Sequence, residues 1–224
     1  MNGWGEFTLA MALFMGSHFL PRVGGLRDRL IGAWGRRMYF SVYGLLSLAL
    51  LAWIVVAAGR APHVELWPQL PWMRWVPNLA MPLALVLACC GIGMAQPHTL
   101  GGSRKRAFDP QAPGFAAVCR HPVLMALGLW ALSHMVPNGD LAHVILFGGF
   151  AALAFGAMPL FDRRARHDTA LLEATTRFSL APLAHRGWRR ANRGLLGRCA
   201  MGLVLWLALL HLHATVIGVS PFPV

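Results

Sequence analysis

Six apolar runs of about 16 to 24 residues, separated by basic loops rich in Gly and Pro, leave this chain few ways to fold. Backbone immersed in lipid has no water to satisfy it, so each run has to close its own hydrogen bonds as a helix. Composition points the same way. Hydrophobic residues make up 57% of the 224 positions and charged ones 12%, whereas a soluble domain carries about 25% charge. Mean hydropathy is +0.54. The expected fold class is therefore all-α: one polytopic integral membrane domain over residues 1–224, with six transmembrane helices.

The charges sort by side. With the N-terminus outside, Arg22, Arg27, Arg29, Arg36 and Arg37 fall in a first inner loop, and Arg104, Lys105, Arg106 and Arg120 in a second. A third inner segment carries the nine arginines between Arg163 and Arg198. Only Arg60 and Arg74 are left outside, so 18 of the 20 basic residues are inner. That is the positive-inside pattern of a bacterial inner-membrane, multi-pass protein with both termini periplasmic. It also accounts for a net charge of +12 without nucleic acid, since no module for reading bases is visible.

In chain order, the first span covers residues 4–20. Pro21 and the Gly24–Gly25 pair then break the chain, and Leu26, Leu30, Ile31 and Trp34 suit a short interfacial helix. A second span runs from about Tyr39 to Gly59. Trp67, Trp72 and Trp75 follow among prolines as an aromatic belt. The third span covers about Asn78 to Ala95. The fourth lies in RHPVLMALGLWALSHMVPNGD, residues 120–140, between an Arg-His-Pro start and an Asn-Gly-Asp turn. Its helix of about 16 residues is roughly 24 Å long. The fifth runs from about Leu141 to Phe161, so the short turn predicts an antiparallel helix 4–5 hairpin. Residues 162–196 form the longest inner segment, whose HRGWRRANR tail suits anionic headgroups with Trp188 at the interface. The sixth span runs from about Leu196 to Val219.

Cys89, Cys90, Cys119 and Cys199 lack metal or redox spacing and read as small reduced hydrophobes. The N-terminal segment has no basic leader and no clear cleavage site, so it is expected to stay as the first helix.

The ten histidines carry the chemistry that the sequence offers. His18, His98 and His121 fall at an inner level; His134, His143, His211 and His213 fall at an outer one. His63, His167 and His185 lie in loops. An imidazole in an apolar helix needs a partner. A neighbouring carbonyl is the simplest one, and a metal is the other, because neutral imidazole is the species that iron binds. Carboxylates are nearly absent from the spans, which argues against hydrolytic metal chemistry and a carboxylate proton pump. A haem would need one or two axial His, an apolar cleft and Arg for the propionates.

The segments His18 with LPRVGGLRDRL, RHPVLMALGLWALSHMVPNGD, FDRR at 161–164, TRFSLAP, and a last helix with His213 and GVSP resemble the NnrU family. That family includes the 15-cis-zeta-carotene isomerases of plants and cyanobacteria, and its bacterial members are linked to denitrification and nitrogen-oxide metabolism. The resemblance implies a b-type haem with His18 and His134 as axial ligands and catalytic residues. The implied reaction is a redox-gated cis–trans isomerisation of an apolar, lipid-soluble polyene. Where the isomerases carry a cysteine, this chain has Ala131. Depth along the helices also allows His134 with His213, or His18 with His121, as the metal-binding pair.

Arg120-His121-Pro122, the hairpin and the basic inner segment also resemble isoprenylcysteine carboxyl methyltransferases. That likeness implies S-adenosylmethionine as an alternative cofactor, bound near Arg120 and His121. Paired glutamates follow the hairpin in those enzymes, and this chain has Asp162-Arg163-Arg164 there. A third possibility is a non-enzymatic assembly factor.

Overall fold

A computed structural model describes residues 3–222, and at Arg22, one of the basic residues assigned to the first inner loop from the sequence, only the backbone. The regular structure among these residues is helical apart from one isolated bridge between Glu65 and Asp140. The helices are α1 (Gly3–Phe19), α2 (Leu26–Arg60), α3 (Trp75–Gly91), α4 (Pro122–Met135) and α5 (Leu141–Arg164). Three short ones, α6 (Thr169–Ala174), α7 (Ala181–Ala184) and α8 (Arg186–Ala191), precede α9 (Gly194–Ile217).

Among the described residues four helical segments are long and apolar enough to cross a membrane: Val23–Arg60, Pro71–Gly91, Leu141–Arg164 and Gly194–Ile217. Helix α1, at 17 residues, and α4, at 14, fall short of that length. Pro122 at the first turn of α4 and Pro137 just past its end set those limits, because proline starts a helix well and cannot continue one. The third run begins earlier than expected and ends at Gly91, where Ile92 turns extended and Gly93 takes a φ of 73°.

The expected break before the second run is present. Gly24 and Gly25 have φ of 60° and 70°, a conformation that glycine adopts without the Cβ penalty. A second break at Gly35, with φ 76° and ψ 155°, separates the Leu26–Trp34 stretch from the long remainder of α2.

The chain divides into two compact units, residues 1–68 with 139–146, and residues 69–138 with 147–224. In the first, α1 packs on α2, burying Phe7, Ala10 and Phe14 on one helix and Ile54, Ala57 and Ala58 on the other. The Glu6 carboxylate accepts from Trp53 Nε1 at 3.1 Å and pairs with Arg60 at 3.6 Å, so the acidic group of α1 is partnered. Leu66 and Trp67 donate backbone N–H groups to the Gly139 carbonyl, and Leu141 donates to Val64.

In the second unit α3 is the axis, contacted by both α4 and α9. Small residues allow the approach, as is usual where lipid gives helices no hydrophobic reason to associate. A Cβ at Gly202 of α9 would lie 2.8 Å from the Val86 Cα. Helices α4 and α5 pair antiparallel, as the short turn predicts: Gly128 faces Phe155, Trp130 stacks on Phe150, and His134 meets Phe147.

Candidate functional site

Two sets of polar groups sit among these apolar helices, both largely within the second unit. One gathers around Asp162, near the end of α5. Its Oδ1 accepts from Arg120 Nη1 at 2.9 Å and from His121 Nε2 at 3.0 Å; its Oδ2 accepts from Arg177 Nε at 3.2 Å. An ionised carboxylate can only accept, so the His121 proton resides on Nε2. Its Nδ1 then accepts from the Thr99 hydroxyl at 3.0 Å. Burial pushes the His121 pKa below its ordinary value, with Arg120 and Arg177 helping and Asp162 opposing. The ring is therefore neutral.

Arg120 does more than pair with Asp162. Its Nε donates to Thr175 Oγ1 at 2.7 Å, and its Nη2 to the carbonyls of Leu172 and Thr175 at 3.0 and 2.7 Å. These acceptors lie at the C-terminal end of α6, where unpaired carbonyls favour a cation. Asp168 caps the other end of α6 through Leu171 N at 3.1 Å. Gln96, fully buried, donates to the Arg120 carbonyl at 3.2 Å and accepts from His98 N at 2.6 Å. Both nitrogens of His121 and four N–H groups of Arg120 are thus engaged within the protein. The Arg-His-Pro turn ties the start of α4 to the end of α5 and to α6.

The sequence pointed to Arg120 and His121 but not to Gln96, Thr99 or Thr175. Uncharged polar residues in loops carry no signal until burial is known. Asp162 was visible only as a replacement for glutamate.

The second set consists of histidines within apolar helices. His134 Nδ1 lies 2.8 Å from the Trp130 carbonyl one turn earlier, and its ring contacts Trp130 and Phe147. A carbonyl can only accept, so Nδ1 carries the proton and Nε2 keeps its lone pair. His213 Nδ1 donates likewise to Val219 O at 2.7 Å, and His211 to Leu207 O at 2.8 Å. His213 lies close enough to His134 for the two to interact electrostatically. His18, in the first unit, repeats the pattern with Phe14 O at 2.8 Å, its ring against Phe14 and Tyr43. His143 instead bonds Asp140 at 2.7 Å. Burial works against charge on Asp140, but the His143 ring and backbone N–H outweigh it and hold the carboxyl below its usual value.

The tautomer of His18, His134 and His213 is the one that an iron ligand requires, with Nδ1–H fixed by an acceptor and Nε2 available. Among the described residues no group of three or more His, Cys, Asp or Glu is placed to hold a metal ion. Two cavities, one on α1 and one beside α8, are not lined by these three histidines. Each Nε2 is a competent donor for iron; a cleft for a porphyrin is not formed by either cavity. Of the cysteines outside the long helices, Cys119 is fully buried, and burial pushes its thiol up to about 11, so it serves as packing.

The model of the NnrU protein family matches residues 6–221, nearly the whole chain. The chain belongs to the NnrU family. No curated protein and no solved structure matches it. For an NnrU protein the Arg-His-Pro turn therefore has a concrete place in the fold, joining α4 to α5 through the Asp162 carboxylate and to α6 through the Arg120 guanidinium.

Proposed function

We propose that this NnrU protein binds a b-type haem within a bacterial inner membrane, crossing it six times with both termini periplasmic. The topology is supported by the sorting of basic residues between loops, with α1 and α4 taken as short spans beside the four long helices. One observation carries the haem reading: three intramembrane histidines direct Nδ1–H at a backbone carbonyl and leave Nε2 unprotonated in apolar surroundings. His134 is shared by two of the three pairings, with His213 or with His18, and in the third, His18 with His121, the His121 nitrogens are already engaged by Asp162 and Thr99. His213 is the partner favoured by proximity, and His18 the one implied by family likeness. When bound, a haem supplies one-electron chemistry of the kind that eases rotation about a conjugated double bond.

The reaction class proposed is cis–trans isomerisation of a lipid-soluble polyene, with no net redox change. Trp130 and Phe147 hold the His134 ring in place, and the apolar helix faces keep water from it. The Trp130 carbonyl holds the His134 proton on Nδ1. The test is an absorption spectrum of the purified protein after haem supplementation. A Soret band that His134→Ala abolishes supports the reading, and loss in His213→Ala or in His18→Ala identifies the second ligand. Absence of the band in the unmodified protein rejects it.

A further inference from the structure

A cavity of about 560 Å³ lies where α8 meets the start of α9. Arg186, Arg189, Arg190 and Arg193 line it, with no carboxylate among the lining residues. Arg189 is engaged with the carbonyls of Leu183 and Ala184. Arg186, Arg190 and Arg193 make no side-chain hydrogen bond or ion pair among the described residues, so three guanidinium groups converge without an anion. Trp188 lines the same cavity, and its indole Nε1–H is buried with no acceptor.

Apart from Asn192 the rest of the wall is apolar, with Phe115, Leu183 and Leu196. Leu196 is 71% exposed, and the exposed apolar surface continues along α9 through Met201 and Val204. A bound molecule therefore meets cationic donors at one end and a long greasy helix at the other. Its chemistry is that of an anionic headgroup with acyl chains.

We propose that this cavity is a discrete site for one acidic phospholipid of the surrounding membrane. The phosphate takes the uncommitted arginines, and the chains lie along α9. Diffuse attraction of basic residues to a charged surface would give neither a stoichiometry nor a dependence on particular arginines. A built cavity gives both.

The experiment uses the full chain in detergent, with native mass spectrometry counting bound phosphatidylglycerol and, separately, phosphatidylcholine. One phosphatidylglycerol per chain should bind saturably, with phosphatidylcholine much weaker, and added salt should weaken the anionic lipid alone. Combined Arg186→Gln, Arg190→Gln and Arg193→Gln should lower affinity about a hundredfold, at about fivefold for each charge. The matching variant at Arg104, Lys105 and Arg106 should stay within about twofold of the parent. Equal retention of the two lipids by the unmodified protein overturns the proposal and needs no variant to fold. So does equal loss from the two triple variants. Displacement of the lipid by millimolar inorganic phosphate would show a free-anion site and overturn the lipid assignment.

Discussion

Arg120 and Asp162, 42 positions apart in the chain, meet at 2.9 Å with both side chains largely shielded from solvent. The same carboxylate oxygen accepts from His121, so two consecutive residues at the start of α4 converge on one atom of α5. Removing Arg120 leaves the shielded Asp162 carboxylate with neutral His121 and with the exposed Arg177 as its remaining cation, and removing Asp162 leaves the Arg120 charge facing only neutral acceptors.

Arg120→Ala is therefore expected to destabilise the protein by about 3–5 kcal/mol, the range for breaking a buried pair from one side. The loss should also release α6, because Arg120 holds the carbonyls of Leu172 and Thr175. Thermal unfolding in detergent reads the first effect. Faster amide exchange over residues 169–176 reads the second, and unchanged exchange there would refute the capping role.

His121 makes the fold sensitive to acid in a stated direction. Burial lowers its pKa below the ordinary value of 6.5. The unfolded chain thus binds the extra proton first as pH falls. Stability from this residue is complete above about pH 6.5 and is lost progressively as pH drops below it. Denaturation midpoints measured between pH 8 and pH 5 should decline more steeply in the parent than in His121→Gln, which removes the titrating group.

Close approach of α3 and α9 rests on a missing side chain. Gly202→Ala would place a Cβ against Val86 backbone, which cannot swing away as a side chain can. A cost of about 1–3 kcal/mol is expected. Gly197→Ala, on the same helix with nothing within 4 Å, should be neutral or slightly stabilising. If both variants behave alike in thermal unfolding, the packing is wrong.

Cys90 and Cys199 offer a covalent check on the same interface. Their Sγ atoms are 3.7 Å apart, against about 2.05 Å in a disulfide. A membrane-permeant oxidant should join α3 to α9 through this pair, giving an intramolecular cross-link that Cys199→Ser removes. A cross-link surviving that substitution would contradict the arrangement.

Much of the helical frame can be read from residues alone, because lipid leaves an apolar run one option. The Gly24–Gly25 break, the 4–5 hairpin and the limits of α5 all follow from local signals. The polar core does not. Asp162 binds residues from a distant turn, and nothing in its neighbours announces that. Thr99 and Thr175 become meaningful only once the chain brings them against His121 and Arg120. Gly35 was also missed as a break, since a lone glycine in a helical stretch usually stays helical. The basic tail was legible as a surface feature, but its closure into a cavity depends on how α8 turns into α9.

Helix α4 is 14 residues long, about 21 Å, beside an α5 of 24 residues and about 36 Å. Set in a hydrocarbon slab about 30 Å thick, the shorter rod is mismatched while its neighbour is not. In the proposed six-span arrangement the bilayer is expected to thin beside α4. A thinner host membrane would relax that dent, and bilayer thickness becomes a variable to which this protein's stability answers.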